Sequence, residues 1–261
     1  MKGSGRPKGL LFLLALALLL LASACTAAGE TGPGQPAPVL TGEIITARVL
    51  DPEGNPVILA GLDAPYDEVY ALPPGVLASA GVGTEVRVGD TVQLAFDGSV
   101  EETFPARLGQ ITQAAVLSEG YDGLCPLYLD VLEDLWSADP ALQDGISRLG
   151  FDLASTRLAP SEQQALALTF ARAHGIEDTV FGTWQELADQ GVLNGEELYW
   201  PEGVLLSIRE KDTIPNPVNA VTFDAEKWRS GLGAYSFVDC TSRRRSDGAW
   251  TSYTIGSEAV S

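Results

Sequence analysis

The stretch VGDTVQLAFDGSVEETFPARLGQITQAAVL, residues 88–117, alternates short apolar runs with turn residues and carries no helical period. Gly89-Asp90 and Asp97-Gly98 are turn pairs, because glycine reaches positive φ without steric cost and aspartate bonds its own backbone. The segments they bound, residues 91–96 and 107–117, read as strands. Upstream, residues 43–50 set apolar Ile45, Ala47 and Val49 against polar Thr46 and Arg48. The turn Asp51-Pro52-Glu53-Gly54-Asn55-Pro56 follows, and residues 57–60 resume the apolar run, which makes a hairpin. Short strands punctuated in this way predict a small antiparallel sheet or partly closed barrel over residues 40–118.

Gly89, Asp90, Val92, Gly98, Glu102, Thr103, Phe104, Pro105 and Ala106 follow one another in a recognisable order and spacing. On these positions residues 41–117 resemble the YobA-like lipoproteins of Firmicutes, a bacterial family of unknown function. The resemblance implies a small β-barrel of the oligonucleotide/oligosaccharide-binding kind, OB-like, and it brings no activity with it.

Beyond Tyr121 the pattern changes. Leu127, Val131, Leu132 and Leu135 fall at helical spacing, with Asp130, Glu133 and Asp134 on the other side, so a helix is expected to about Trp136. Ser161 with Gln164 reads as a capping box for a helix that ends at His174-Gly175. Thr183 with Glu186 repeats the device for a short helix ending at Gly191. Strands are expected at residues 204–208, 218–223 and 234–241, the last joined through Ser246-Asp247-Gly248 to residues 250–255. The fold class on this reading is α+β: the barrel, then an α+β domain over residues 119–261 with a C-terminal antiparallel sheet. The segments FDAEKWRSGLGAYSFVDC (223–240) and GAWTSYTIGSEAVS (248–261) resemble a C-terminal module of similar uncharacterised lipoproteins, again without known chemistry.

The first residues address the chain. Lys2, Arg6 and Lys8 precede thirteen consecutive apolar residues, 10–22, too few for the roughly 20 that span a bilayer. A basic start, a short apolar run and small residues describe a secretory signal over residues 1–24. Leu21-Ala22-Ser23-Ala24-Cys25 resembles a lipoprotein cleavage site, which makes Cys25 the acylated residue and a lipid anchor on the extracytoplasmic face of the cell membrane. Ala22-Ser23-Ala24 also fits ordinary secretory cleavage, with Cys25 incidental. Residues 25–39 are expected to be a disordered tether, because 26–38 are dense in Gly and Pro and lack bulky apolar side chains.

The formal charge is −19, and loss of the signal takes it to −22, with 13 basic against 35 acidic residues. Such a surface repels phosphate backbones, so nucleic acid is not an expected partner. With Cys25 acylated, Cys125 and Cys240 remain. They form either a disulfide, worth up to about 4–5 kcal/mol on the entropic account, or two buried thiols.

Chemistry-bearing patterns are few. His174 is the single histidine and sits at a helix C-terminus, where it interacts with the helix dipole; one histidine makes no multi-histidine metal site and no catalytic triad is legible. No catalytic residue, metal or cofactor is assigned. The carboxylate pairs Glu101/Glu102, Glu196/Glu197 and Asp130/Asp134 are the material for a glycosidase-like site. Against the acidic background stand Lys227-Trp228-Arg229 and Arg243-Arg244-Arg245. With Trp228, Arg229, Tyr235, Arg243, Arg245 and Trp250 these make a candidate ligand face for an anion or sugar, or else a structural hairpin over a core tryptophan. The expected function is a non-enzymatic binding or accessory protein of the bacterial envelope, its partner an envelope glycan or protein. The alternative is an envelope glycan hydrolase using a carboxylate pair.

Overall fold

The computed structural model describes residues 40–82, 85–117, 120–211 and 218–261; the signal, Cys25 and the tether lie outside them. The first half of the chain runs β1 (Glu43–Asp51), β2 (Val57–Gly61), β3 (Val69–Leu72), the short helix α1 (Val76–Ser79), β4 (Thr91–Phe96), β5 (Val100–Glu101), β6 (Arg107–Leu108) and β7 (Ile111–Val116). Five of these strands form an antiparallel sheet in the order β3-β2-β1-β4-β7, and β5 pairs with β6. Asp97 shapes the turn after β4: its carboxylate accepts from the Ser99 N–H at 2.9 Å and the Gln110 N–H at 3.0 Å.

A barrel would require β3 to meet β7. Both edges are taken by other segments instead. Ala106 N–H donates to Val69 O at 2.8 Å and Ala106 O accepts from Ala71 N–H at 2.9 Å, while Ala114 N–H on β7 donates to Ala80 O at 2.8 Å. The OB-like barrel and the α+β class are therefore corrected. The protein is mostly β, 39% strand to 20% helix, with three sheets among the described residues, none closed.

The second half contributes α2 (Leu124–Ser137), β8 (Arg148–Asp152), α3 (Pro160–Ala173), β9 (Asp178–Phe181), α4 (Trp184–Asp189), β10 (Gly203–Glu210), β11 (Ala220–Ser230), β12 (Gly233–Arg243) and β13 (Ser257–Val260). Their sheet order is β13-β12-β11-β10-β8-β9. The expected C-terminal antiparallel sheet is corrected too: it is antiparallel from β10 to β13 but mixed as a whole, because β8 lies parallel to both β9 and β10. Parallel neighbours need long crossovers, which α3 and α4 supply. Residues 250–255 make only isolated bridges, Thr254 to Thr241 of β12 and Trp250 to Arg244 just beyond it, and the edge strand is β13.

α2 buries Leu127, Tyr128, Val131, Leu132 and Leu135 on one face, as its spacing dictates. α3 starts at Pro160, a position that lacks nothing by having no N–H. Its first turn is closed by Glu162, which accepts from the Ala159 N–H at 2.9 Å. Ser161 is not the cap: its hydroxyl donates to Gly61 O at 2.6 Å and ties α3 to β2. Ile45, Ala47, Val49, Val57 and Leu59 fill the core on one face of the first sheet. Leu50, Ile58, Ala60 and Val69, from the same sheet, enter the larger core with α2, α3 and the second sheet.

Candidate functional site

Register decides the fate of the expected ligand face. On β11 and β12, Lys227 pairs with Tyr235 and Trp228 with Ala234, and successive residues point to opposite faces. Tyr235 and Trp250 accordingly pack against the main core, whereas Trp228 joins a separate cluster with Trp184, Leu187, Leu193, Trp200 and Leu205. Arg229 is spent on backbone, donating to the carbonyls of Leu142 (3.1 Å), Asp144 (2.8 Å) and Pro201 (3.1 Å). Tyr235 hydroxyl donates to Glu258. Arg245 pairs with Asp247 at 2.6 Å, and Arg243 is exposed at the far end of β12. The six residues do not share a face.

The other expected positions are dispersed as well. Cys125 and Cys240 are both free and buried, so of the two alternatives it is the pair of buried thiols that the structure holds. Burial pushes the Cys125 thiol well above its usual pKa and that of Cys240 up to about 12, which leaves both unreactive. His174 caps α3 between Trp136 and Phe170, its Nε2 3.1 Å from the Glu133 carboxylate. Glu101 faces Arg107 at 3.9 Å, the Glu196 and Glu197 amides donate to Asn194 Oδ1, and Asp134 accepts from Tyr253 hydroxyl at 2.7 Å.

What the sheet does assemble lies on the face Trp228 looks out from. The pairs Leu205↔Trp228 and Ser207↔Glu226, with Gly150↔Leu205 and Asp152↔Ser207, place an apolar row beside a polar row. Trp200 lies beneath, and it fits only because two neighbours have no side chain. A Cβ on Gly150 would come within 2.9 Å of its ring, and one on Gly203 within 2.4 Å. Trp184 from α4 meets Trp228 edge-on, centroids 5.9 Å apart. α4 is fixed by a full capping box, Glu186 N–H to Thr183 Oγ1 at 3.2 Å and Thr183 N–H to the Glu186 carboxylate at 2.8 Å. Leu198, held at φ +49 and 47% exposed, closes the third side.

The result is a groove of about 330 Å³ lined by Trp184, Leu198, Leu205, Arg209, Glu226, Trp228 and Gly231. Arg209 stands at its polar end, 3.8 Å from the Glu226 carboxylate and 3.9 Å from that of Asp152. Ser236 hydroxyl donates to Glu226 at 3.3 Å. Asp152 is buried, one carboxylate oxygen lacks a partner, and burial raises its pKa against the pull of Arg209.

No known family, curated protein or solved structure matches this chain.

The groove is read from its own chemistry. Two indole rings and two leucines offer an apolar platform, and Arg209 and Glu226 offer a donor and an acceptor at one end of it. Of its residues only Trp228 was singled out from sequence. Trp184 and Arg209 are remote from it in the chain. Glu226 carried a legible signal, the i, i+2 spacing to Trp228 in a strand, which an expected strand end at residue 223 concealed.

Proposed function

We propose that this chain is a lipid-anchored protein of the bacterial envelope that binds a glycan, without chemistry, in the Trp184–Trp228 groove. The observation that carries the reading is the groove itself. An aromatic platform suits the C–H face of a sugar ring, and an arginine beside a carboxylate suits its hydroxyls. The resemblance of residues 41–117 to YobA-like lipoproteins and the features around Cys25 support the envelope placement; no helix among the described residues is long and apolar enough to cross a membrane.

The hydrolase alternative finds less support. Of the carboxylates around Arg209, the Glu226 side chain is 31% exposed and that of Asp152 only 6%, so a ligand reaches one acid rather than a pair.

One experiment with two arms tests the proposal: the full chain and its variants are expressed in a bacterial host, fractionated, and titrated with soluble cell-wall glycan fragments. Trp228→Ala is expected to stay with the membrane and bind at least about thirtyfold more weakly, the roughly 2 kcal/mol that a central tryptophan contributes. Cys25→Ala is expected to leave the membrane fraction and bind as before. Membrane retention of Cys25→Ala refutes the anchor. Unchanged affinity in Trp228→Ala, or no glycan binding by the wild-type chain, refutes the groove.

A further inference from the structure

A second cavity, of about 670 Å³, opens where the loop leaving the first sheet meets the turn after β12, and it is lined by Tyr121, Asn219, Arg244, Arg245, Ser246 and Asp247. It stands apart from the tryptophan groove. β12 pairs Arg243 with Ala220 at one end of β11 and Ala234 with Trp228 towards the other, eight residues or about 27 Å along the strand.

The charges around this cavity cancel in pairs, with one left over. Arg245 is held by Asp247 at 2.6 Å. Arg87, whose guanidinium lies 4.5 Å over the Tyr121 ring, is held by Asp90 at 3.2 Å. Arg244 has no carboxylate partner among the described residues, and its buried Nε meets no acceptor. In a chain of net charge −19 that is an isolated cation facing a cavity. Tyr121, Asn219 and Ser246 add a phenol, an amide and a hydroxyl that make no side-chain hydrogen bond among the described residues.

The wall is tightly seated. Gly248 sits at φ +83, and a Cβ there would lie 2.8 Å from the Tyr121 carbonyl; its own carbonyl accepts from Gly123 N–H at 3.1 Å. Only glycine allows the turn to press against Tyr121 and keep Arg244 beside it.

We propose that this cavity binds a singly charged phosphodiester. The forked guanidinium of Arg244 matches phosphate oxygens, and the neutral donors of Tyr121, Asn219 and Ser246 complete the shell around them. One unpaired cation balances one negative charge. No second unpaired cation lines the cavity among the described residues to balance another, so a diester is preferred to a dianionic monoester.

The test is calorimetric titration of the full chain in detergent. One arm uses bis(glycerol) phosphate, a soluble diester, and the other mixed micelles carrying phosphatidylglycerol. Binding of the soluble diester supports a free or polymeric source, and binding of the micelles alone assigns a lipid headgroup. Arg244→Gln is expected to weaken binding about tenfold or more, whereas Arg243→Gln, exposed and outside the cavity, leaves it unchanged. Glycerol monophosphate is expected to bind more weakly than the diester. If Arg244→Gln fails to fold, the double variant Asn219→Ala/Ser246→Ala at two exposed positions carries the same test, and its loss of binding supports the site. The proposal is overturned if neither probe binds, if Arg244→Gln or the double variant binds as wild type, or if the monophosphate binds as tightly. Glycan affinity is read in parallel, so failure of this site and failure of the tryptophan groove are distinguishable.

Discussion

Lys227 lies on the core face of β11, 0% exposed, between two residues that reach the surface. Its ammonium donates to the carbonyls of Trp136, Ala138 and Asp139, at and just beyond the end of α2, where a helix leaves its last carbonyls without partners. Burial pulls its pKa down to about 8, so at pH 7 it remains charged and donates to all three. Lys227→Met is expected to cost about 2–3 kcal/mol at pH 7 by denaturant unfolding, since the carbonyls lose their donor in a dry site. The pH dependence has a definite sign. The folded-state pKa is below the ordinary 10.5, so the unfolded chain holds more protons between pH 8 and 10.5 and stability rises with pH in that window. The advantage of wild type over Lys227→Met should widen from pH 8 to 10.5; a narrowing gap would contradict the depressed pKa. Lys227-Trp228-Arg229 reads in the sequence as one basic, aromatic surface. Strand geometry splits it, sending Trp228 to the groove while Lys227 and Arg229 bond backbone carbonyls.

At the scale of elements, α4 carries Trp184 into the groove and depends on its first turn. The Thr183-Glu186 capping box was legible, because a threonine three residues before a glutamate satisfies two orphan N–H groups reciprocally. Thr183→Ala is expected to cost about 1 kcal/mol in thermal or denaturant unfolding. Glycan affinity should fall with it, because Trp184 follows the cap directly; intact affinity in the destabilised variant would show that the position of α4 does not matter to the groove. The box expected at Ser161 and Gln164 sits two residues out of register, the N-cap being Ala159. Ser161 has a carbonyl of β2 within reach, and that tertiary contact outweighs local capping, which Glu162 performs instead.

Across the whole molecule the second face of the first sheet is covered. Arg48 stands on the polar side of the alternation in β1, yet it is 9% exposed. It donates to Glu162 of α3 at 3.0 Å and to the Gly89 carbonyl at 3.1 Å, so the two halves meet through a buried, hydrogen-bonded ion pair. The same large core encloses both thiols. In the Cys25→Ala chain a thiol reagent is expected to find no accessible thiol in the folded state and two after unfolding. Finding none after unfolding, without reductant, would mean that Cys125 and Cys240 are bridged.

The sequence by itself determined what depends on a few neighbouring residues: the hairpin of residues 43–60, the amphipathic α2, the α4 cap, and the wide separation of the two cysteines along the chain. Only the tertiary structure decided that Ala80 and Ala106 occupy the sheet edges that would have closed a barrel, that β8 runs parallel to its neighbours, and that Trp184, Arg209, Glu226 and Trp228 share a groove. Edge pairing and strand order cost no local energy that a residue pattern records. They are set by which distant segment reaches an unpaired N–H first and by which apolar face finds cover.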